Sequence, residues 1–134
     1  MVLGLSEFRA AMDKVIAQAD AAAKAIVTQG AASIEAAAKA NFAGAHKKGQ
    51  PHVGGDLPNV VTGTLRRSIT HTSVVKVGLG TWGTTVGPTT VYGRRVELGF
   101  NGSKGYPFFG PAVEKNAKKL QDIAVKAWTA AIRA

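Results

Sequence analysis

The 134-residue sequence contains no cysteine. That excludes disulfides, thiolate metal sites and cysteine nucleophile chemistry. Acidic residues are scarce, eight Asp and Glu against 17 Lys and Arg, and no two are spaced to invite general acid–base work. Three histidines, His46, His52 and His71, are the only imidazoles, and none stands in an H-E-x-x-H spacing. His46, His52 and Asp56 could in principle share a metal, but loop histidines are ordinarily just solvated. No G-x-S-x-G is present to expose a serine nucleophile. No run approaches the ~20 apolar residues of a membrane span. Met1 to Leu5 is followed at once by Ser6, Glu7 and Arg9, without the basic start and apolar core of a secretory signal. The expectation is a non-enzyme with no cofactor, no metal and no membrane partner. Aromatic residues are 7 % of the chain, and much of the 46 % apolar content is alanine. One domain with a thin core follows.

What is present begins with helical periodicity. Phe8, Met12, Val15, Ala19, Ala22, Ile26, Gly30, Ile34, Ala37 and Phe42 recur at steps of three to five, which is helix rather than strand. Ser6 is the expected N-cap and Ala45 the approximate end. Gly30 marks either a kink or a close approach of another backbone. A stripe so rich in alanine buries little area, so residues 1–45 read as a helical arm packed partly on a neighbouring subunit. Residues 46–60, full of Gly, Pro and short polar side chains, read as a loop.

Val61 to Ile69 joins the two halves. Gly63 can turn the chain, Thr62 and Thr64 can cap a short helix, and Leu65 and Ile69 share its apolar face while Arg66 and Arg67 lie off it. Ser68–Val77 and Thr81–Val86 alternate as strands joined by Gly78-Leu79-Gly80, an antiparallel hairpin. Ile69, His71, Ser73, Val75 and Val77 fall on one face by that alternation. Gly78 to Gly83 formally matches G-x-G-x-x-G, but Thr84, Thr85, Val86, Gly87 and Pro88 follow it where a dinucleotide site needs a helix, so the match is rejected. Tyr92 to Gly99 reads as one or two helical turns. Residues 61–110 thus form a sheet region, and 111–134 a C-terminal helix with Val113, Leu120, Ile123, Ala127, Trp128 and Ile132 inward. The fold class is α+β: a long N-terminal helix, a small antiparallel sheet with a hairpin, and a C-terminal helix packed on the sheet. Leu65, Ile69, Trp82, Phe108, Phe109 and Trp128 are the expected core anchors.

The net charge of +9 is uneven. Residues 1–45 are neutral, with Arg9, Lys14, Lys24 and Lys39 against Glu7, Asp13, Asp20 and Glu35. The excess lies downstream, which suits a polyanion or an acidic protein surface.

Three spaced pieces then stand together: Thr62-Gly63-x-Leu65-x-x-Ser68-Ile69, Tyr92-Gly93-x-x-Val96-Glu97-x-Gly99 and Pro107-Phe108-Phe109-x-Pro111-Ala112. In this order, between two long helices, they resemble the small head–tail connector (neck) proteins of long-tailed bacteriophages, which are related to tail completion and terminator proteins. The resemblance covers roughly residues 40–132. It departs at Gly93 and Leu98, where the family usually has Ala and an aromatic. It implies a non-enzymatic virion protein, made in the host bacterial cytoplasm and placed at the head–tail interface. There it would form a ring with itself, six-fold favoured and twelve-fold possible. Its other partners would be adjoining head-completion and tail-tube or terminator proteins, and double-stranded DNA passing without sequence specificity.

On that reading Lys47, Lys48, Arg66 and Arg67 are candidates for the DNA-facing lumen, since phosphate contacts need only positive charge. Acidic residues of an adjoining ring are the alternative partners. Phe8, Val15, Ile26, Ile34, Tyr92, Arg94, Arg95 and Glu97 are subunit-interface candidates, with Glu97 expected to meet Arg94, Arg95 or a neighbour's arginine. A tail terminator ring and a small basic architectural DNA-binding protein are the alternatives. The second explains the charge but neither the Tyr106-Pro107-Phe108-Phe109 piece nor the neutral arm, and it has no recognition-helix or zinc-finger signature.

Overall fold

Alanine sets the centre of the molecule. In the computed structural model, which describes residues 4–42, 44–45, 59–60, 63–99, 101–102 and 104–133, the architecture is α+β. Helix α1 spans Leu5–Ala40, 36 residues and about 54 Å at 1.5 Å per residue. It starts after an extended Gly4 without a side-chain cap, so Ser6 lies inside the first turn. It stops at Asn41, short of the expected end. There the Asn41 amide donates 2.7 Å to the Phe108 carbonyl and Phe42 turns into the core. Gly44–Ala45 (β1) then pairs in parallel with Asn59–Val60 (β2), at the two ends of what the sequence shows only as loop. His46, Lys47, Lys48, His52 and Asp56 lie outside the described residues.

The C-terminal helix α4 (Gly110–Arg133) runs antiparallel along α1. Asn41 meets Phe108, Ser33 Oγ donates 3.0 Å to Asn116 Oδ1, and a Cβ on Gly30 would stand 2.9 Å from Leu120 Cδ2. Gly30 therefore marks a close approach, not a kink, and α1 passes through it unbroken. Ala22, Ala23, Ala31 and Ala38 are buried on α1. The inward face of α4 is Ala112, Asn116, Leu120, Ile123 and Ala127. This corrects the expectation for Val113, Trp128 and Ile132, which are 38 %, 37 % and 80 % exposed. An alanine-lined helix seats a partner at short range only through small or compact side chains. Asn116 can be one of them because its own amide donates 2.8 Å to the Ala112 carbonyl.

The opposite side of α1 carries the strands. β3 (Ile69–His71) pairs antiparallel with β6 (Val86–Pro88), and β4 (Val75–Gly78) with β5 (Thr81–Gly83). The hairpin read as continuous is thus two ladders with a break between them. At the break, Thr72 N–H donates to the Thr85 carbonyl (2.9 Å), Thr85 N–H to Thr72 Oγ1 (3.0 Å), and Thr84 Oγ1 to the Thr72 carbonyl (2.7 Å). Threonine hydroxyls replace ladder bonds, and the alternation changes phase across them. His71 reaches Glu35 of α1 (2.6 Å) and Lys76 reaches Asp20 (3.2 Å), although one is odd-numbered and the other even. Val75 and Val77, predicted to share the face of Ile69, are instead 53 % and 65 % exposed.

These contacts hold the ribbon to α1. Hydrogen bonds from Lys39 (2.7 Å) and then His71 hold the Glu35 carboxyl below its ordinary value. At Asp20, partial burial pushes the pKa up, but hydrogen bonds from Lys76, Trp82 and the Gly80 backbone together outweigh it and leave the carboxyl lowered. Trp82 donates Nε1–H to Asp20 (3.2 Å) and lies under Lys24 and Lys76, whose nitrogens are 5.1 and 5.8 Å from the ring centre. It is half-buried against α1, a clamp at the edge rather than a residue of the central core.

The core itself is small: Ala38, Phe42, Ile69, Phe108 and Ala112, with Ala37, Leu65, Val96 and Phe109 against it. The Phe42 and Phe108 rings stand 5.0 Å apart at 53°. Ala112, in the first turn of α4, and Ile69 of β3 belong to the same cluster, so helix and sheet share it.

Candidate subunit interface

Helix α2 (Thr64–Ser68) starts after Gly63, whose φ of 78° is the left-handed conformation that glycine adopts without strain. No side-chain cap is made at this start. Leu65 turns toward the core, and Arg66 and Arg67 are exposed. Helix α3 (Gly93–Leu98) follows Tyr92 and ends at Gly99, φ 87°. Gly93 is buried with its would-be Cβ 2.6 Å from Pro88 Cγ, so alanine would not fit here unless Pro88 moved. Around α3, Tyr92, Val91 and Leu98 are 41 %, 97 % and 66 % exposed, and Arg94 and Arg95 also face outward. Val86, Pro88, Thr90, Arg94, Leu98 and Phe109 are among the residues lining an open cleft of about 340 Å³.

Glu97 does not serve the arginines beside it. Its Oε2 accepts from the N–H groups of Phe108 (2.7 Å) and Phe109 (2.9 Å), and its Oε1 from Gly110 N–H (2.9 Å). The carboxylate thus caps the start of α4, where backbone donors are unpaired and the helix dipole favours negative charge. This corrects the expected pairing with Arg94 or Arg95 of the same chain. Spacing could not reveal it, because donors and acceptor meet only when α3 folds against residues 108–110. Glu97→Ala should cost about 2 kcal/mol, the upper range for loss of a helix cap, read as a lower urea midpoint at an unchanged slope.

The other surface is the arm. Residues 5–17 are exposed throughout. Leu5 is 84 %, Phe8 54 %, Met12 43 %, Val15 54 % and Ile16 47 % exposed. Isolated exposed apolar residues are ordinary, but a contiguous row of five on one helix makes a candidate contact surface. Ile26 and Ile34, expected beside Phe8 and Val15, are half-buried within the chain's own packing.

Sequence reading missed the outer edge of α4. Lys115, Lys118, Lys119, Lys126 and Arg133 form a basic row there, and among the described residues none has a carboxylate at ion-pair distance. The steps of four, seven and seven from Lys115 through Lys119 and Lys126 to Arg133 were the available signal. Beside this row, Val125 (61 %), Trp128 and Ile132 make an exposed apolar stripe. Among the described residues no group of three or more His, Asp or Glu could hold a metal, and no helix is long and apolar enough to cross a membrane.

A family model described as "Bacteriophage HK97-gp10, putative tail-component" matches residues 6–99, from the arm through α3. No curated protein and no solved structure matches the chain.

Proposed function

Because the chain belongs to the HK97-gp10-like family of phage tail components, we propose that it is a structural, non-catalytic ring subunit of a virion neck, joining the DNA-filled head to the tail. The family match carries the phage assignment. The exposed arm supports the assembly role, since a single small domain leaves such a row uncovered at a cost that a neighbour removes. In the ring, Phe8 and Val15 contact an adjoining subunit, and Tyr92, Arg94 and Arg95 form a second contact around the α3 cleft. Lys47, Lys48, Arg66 and Arg67 face the DNA passage. A terminator or completion ring at the tail end of the same junction is the second reading, favoured by the family's description as a tail component.

Electron microscopy of particles carrying a tagged chain tests the assignment. A ring at the head–tail junction is the expected result, and label along the tail shaft or absent from particles overturns it. Lys47→Ala with Lys48→Ala should leave particle assembly intact while DNA retention or delivery falls, because loop charges contribute little to folding. Unchanged infectivity would remove the two lysines from the lumen.

A further inference from the structure

The exposed row on the arm is the continuation of an interface the chain already uses. Leu5, Phe8, Met12 and Val15 step by three and four, and the same stepping leads on through Ala19, Ala22, Ile26, Gly30 and Ser33. Gly30 and Ser33 are the positions that meet Leu120 and Asn116 of α4. Paired residue numbers across α1 and α4 sum to 149 or 150, so Arg133, the last residue of α4, stands opposite residue 16 or 17. From there to Leu5 the stripe goes on for about 12 residues, roughly 18 Å, and among the described residues nothing covers it.

A helix laid on this stretch in the direction of α4 must start where α4 ends, or it collides with α4. Among the described residues, the arm itself is the helix with a free, uncovered start of that length. We propose that a second copy of this chain covers it, the two arms pairing antiparallel about a two-fold axis near residues 10 and 11.

The side chains agree with this register. Leu5 falls opposite Val15 of the second copy, and Phe8 opposite Met12, a sulfur–aromatic contact. On a helical wheel Arg9 and Asp13 lie on one flank of the stripe, Glu7 and Lys14 on the other. Antiparallel two-fold pairing brings the first flank against itself. Arg9 then comes near Asp13, twice, while Glu7 and Lys14, about 120–140° from the middle of the stripe, point away from the contact. Such exposed pairs add little affinity, and the orientation is set by the room that α4 leaves on the stripe. Parallel pairing in register would instead run each arm into the other copy's α4, which already covers the stripe from residue 16 or 17 onward. The start of each arm also abuts the end of the other copy's α4, so unlike helix-dipole ends meet. The contact is isologous and closes at two copies. A ring threaded head to tail has no two-fold across its axis, so the pair opens before the chain joins one.

The absence of cysteine makes the test clean. In Leu5→Cys/Val15→Cys, the two thiols of one chain sit ten residues apart on a straight helix, about 15 Å, too far to bridge. Oxidation of the purified double variant should give a covalent dimer and nothing larger. The free wild-type chain should sediment at twice 13.9 kDa. Arg9→Asp should weaken the dimer severalfold, and adding Asp13→Arg should restore it. A monomeric mass at the highest soluble concentration overturns the proposal. So does a ladder of higher covalent oligomers, or a covalent dimer formed as readily by Leu5→Cys alone, the signature of parallel arms. The assay uses the free chain, so its failure leaves the neck reading standing, and absence of the chain from particles leaves the dimer standing.

Discussion

Phe108→Ala is expected to destabilise the protein by about 3–5 kcal/mol, the range for a truncated core aromatic. The ring is 1 % exposed and packs on Phe42 and on the small cluster of Ala38, Ile69 and Ala112. That cluster ties α1, β3 and the start of α4 together. The backbone of Phe108 is held twice more, by Asn41 through its carbonyl and by Glu97 through its N–H. Those two bonds do not need the ring, so the surroundings are held in place and cannot readily collapse into the void, which puts the cost toward the upper end of the range. A domain of this size is stable by about 5–15 kcal/mol in total. Thermal unfolding followed by circular dichroism checks it: a large fall in Tm is expected, and an unchanged Tm would remove Phe108 from the core.

Deleting residues 1–16 should have the opposite signature, a folded protein that does not assemble. Every residue of the arm from 5 to 17 is exposed, so its removal takes no contact from the core. The Asp20 clamp on Trp82 and Lys76, the Gly30 approach to Leu120 and the Ser33–Asn116 bond all remain. The boundary matters. A deletion through residue 30 would strip α4 and the hairpin of their seat, and should unfold the protein, although the sequence alone suggests that this much of the arm is dispensable. For the shorter deletion, the expected outcome is cooperative thermal unfolding and loss of incorporation into particles. Unfolding would make the arm part of the fold, and normal incorporation would show that assembly does not use it.

What the sequence determined by itself is local or compositional. The α1 and α4 periods, the turn at Gly78–Gly80 and the stop at Gly99 follow from side-chain spacing and from glycine's freedom at positive φ, and these need no knowledge of neighbours. The absence of cysteine and the scatter of acids removed whole classes of chemistry. The ordered motifs around Gly63, Tyr92 and Pro107 pointed to the phage family, which the match over residues 6–99 shows. Tertiary structure decided which face of each element turns inward. Trp128 and Ile132 are larger and more apolar than Ala112 and Asn116, yet α4 presents the latter pair, because α1 offers alanine and glycine and so rewards close approach over bulk. Val75 and Val77 face out because Thr72 and Thr84 put their hydroxyls into the ladder and shift its phase. Glu97, read as a partner for arginine, became the cap of α4 because three amide groups converge on it only once the chain has closed. A single sequence carries the spacing of side chains along an element, but not the distance of closest approach between two elements, and that distance chose the core.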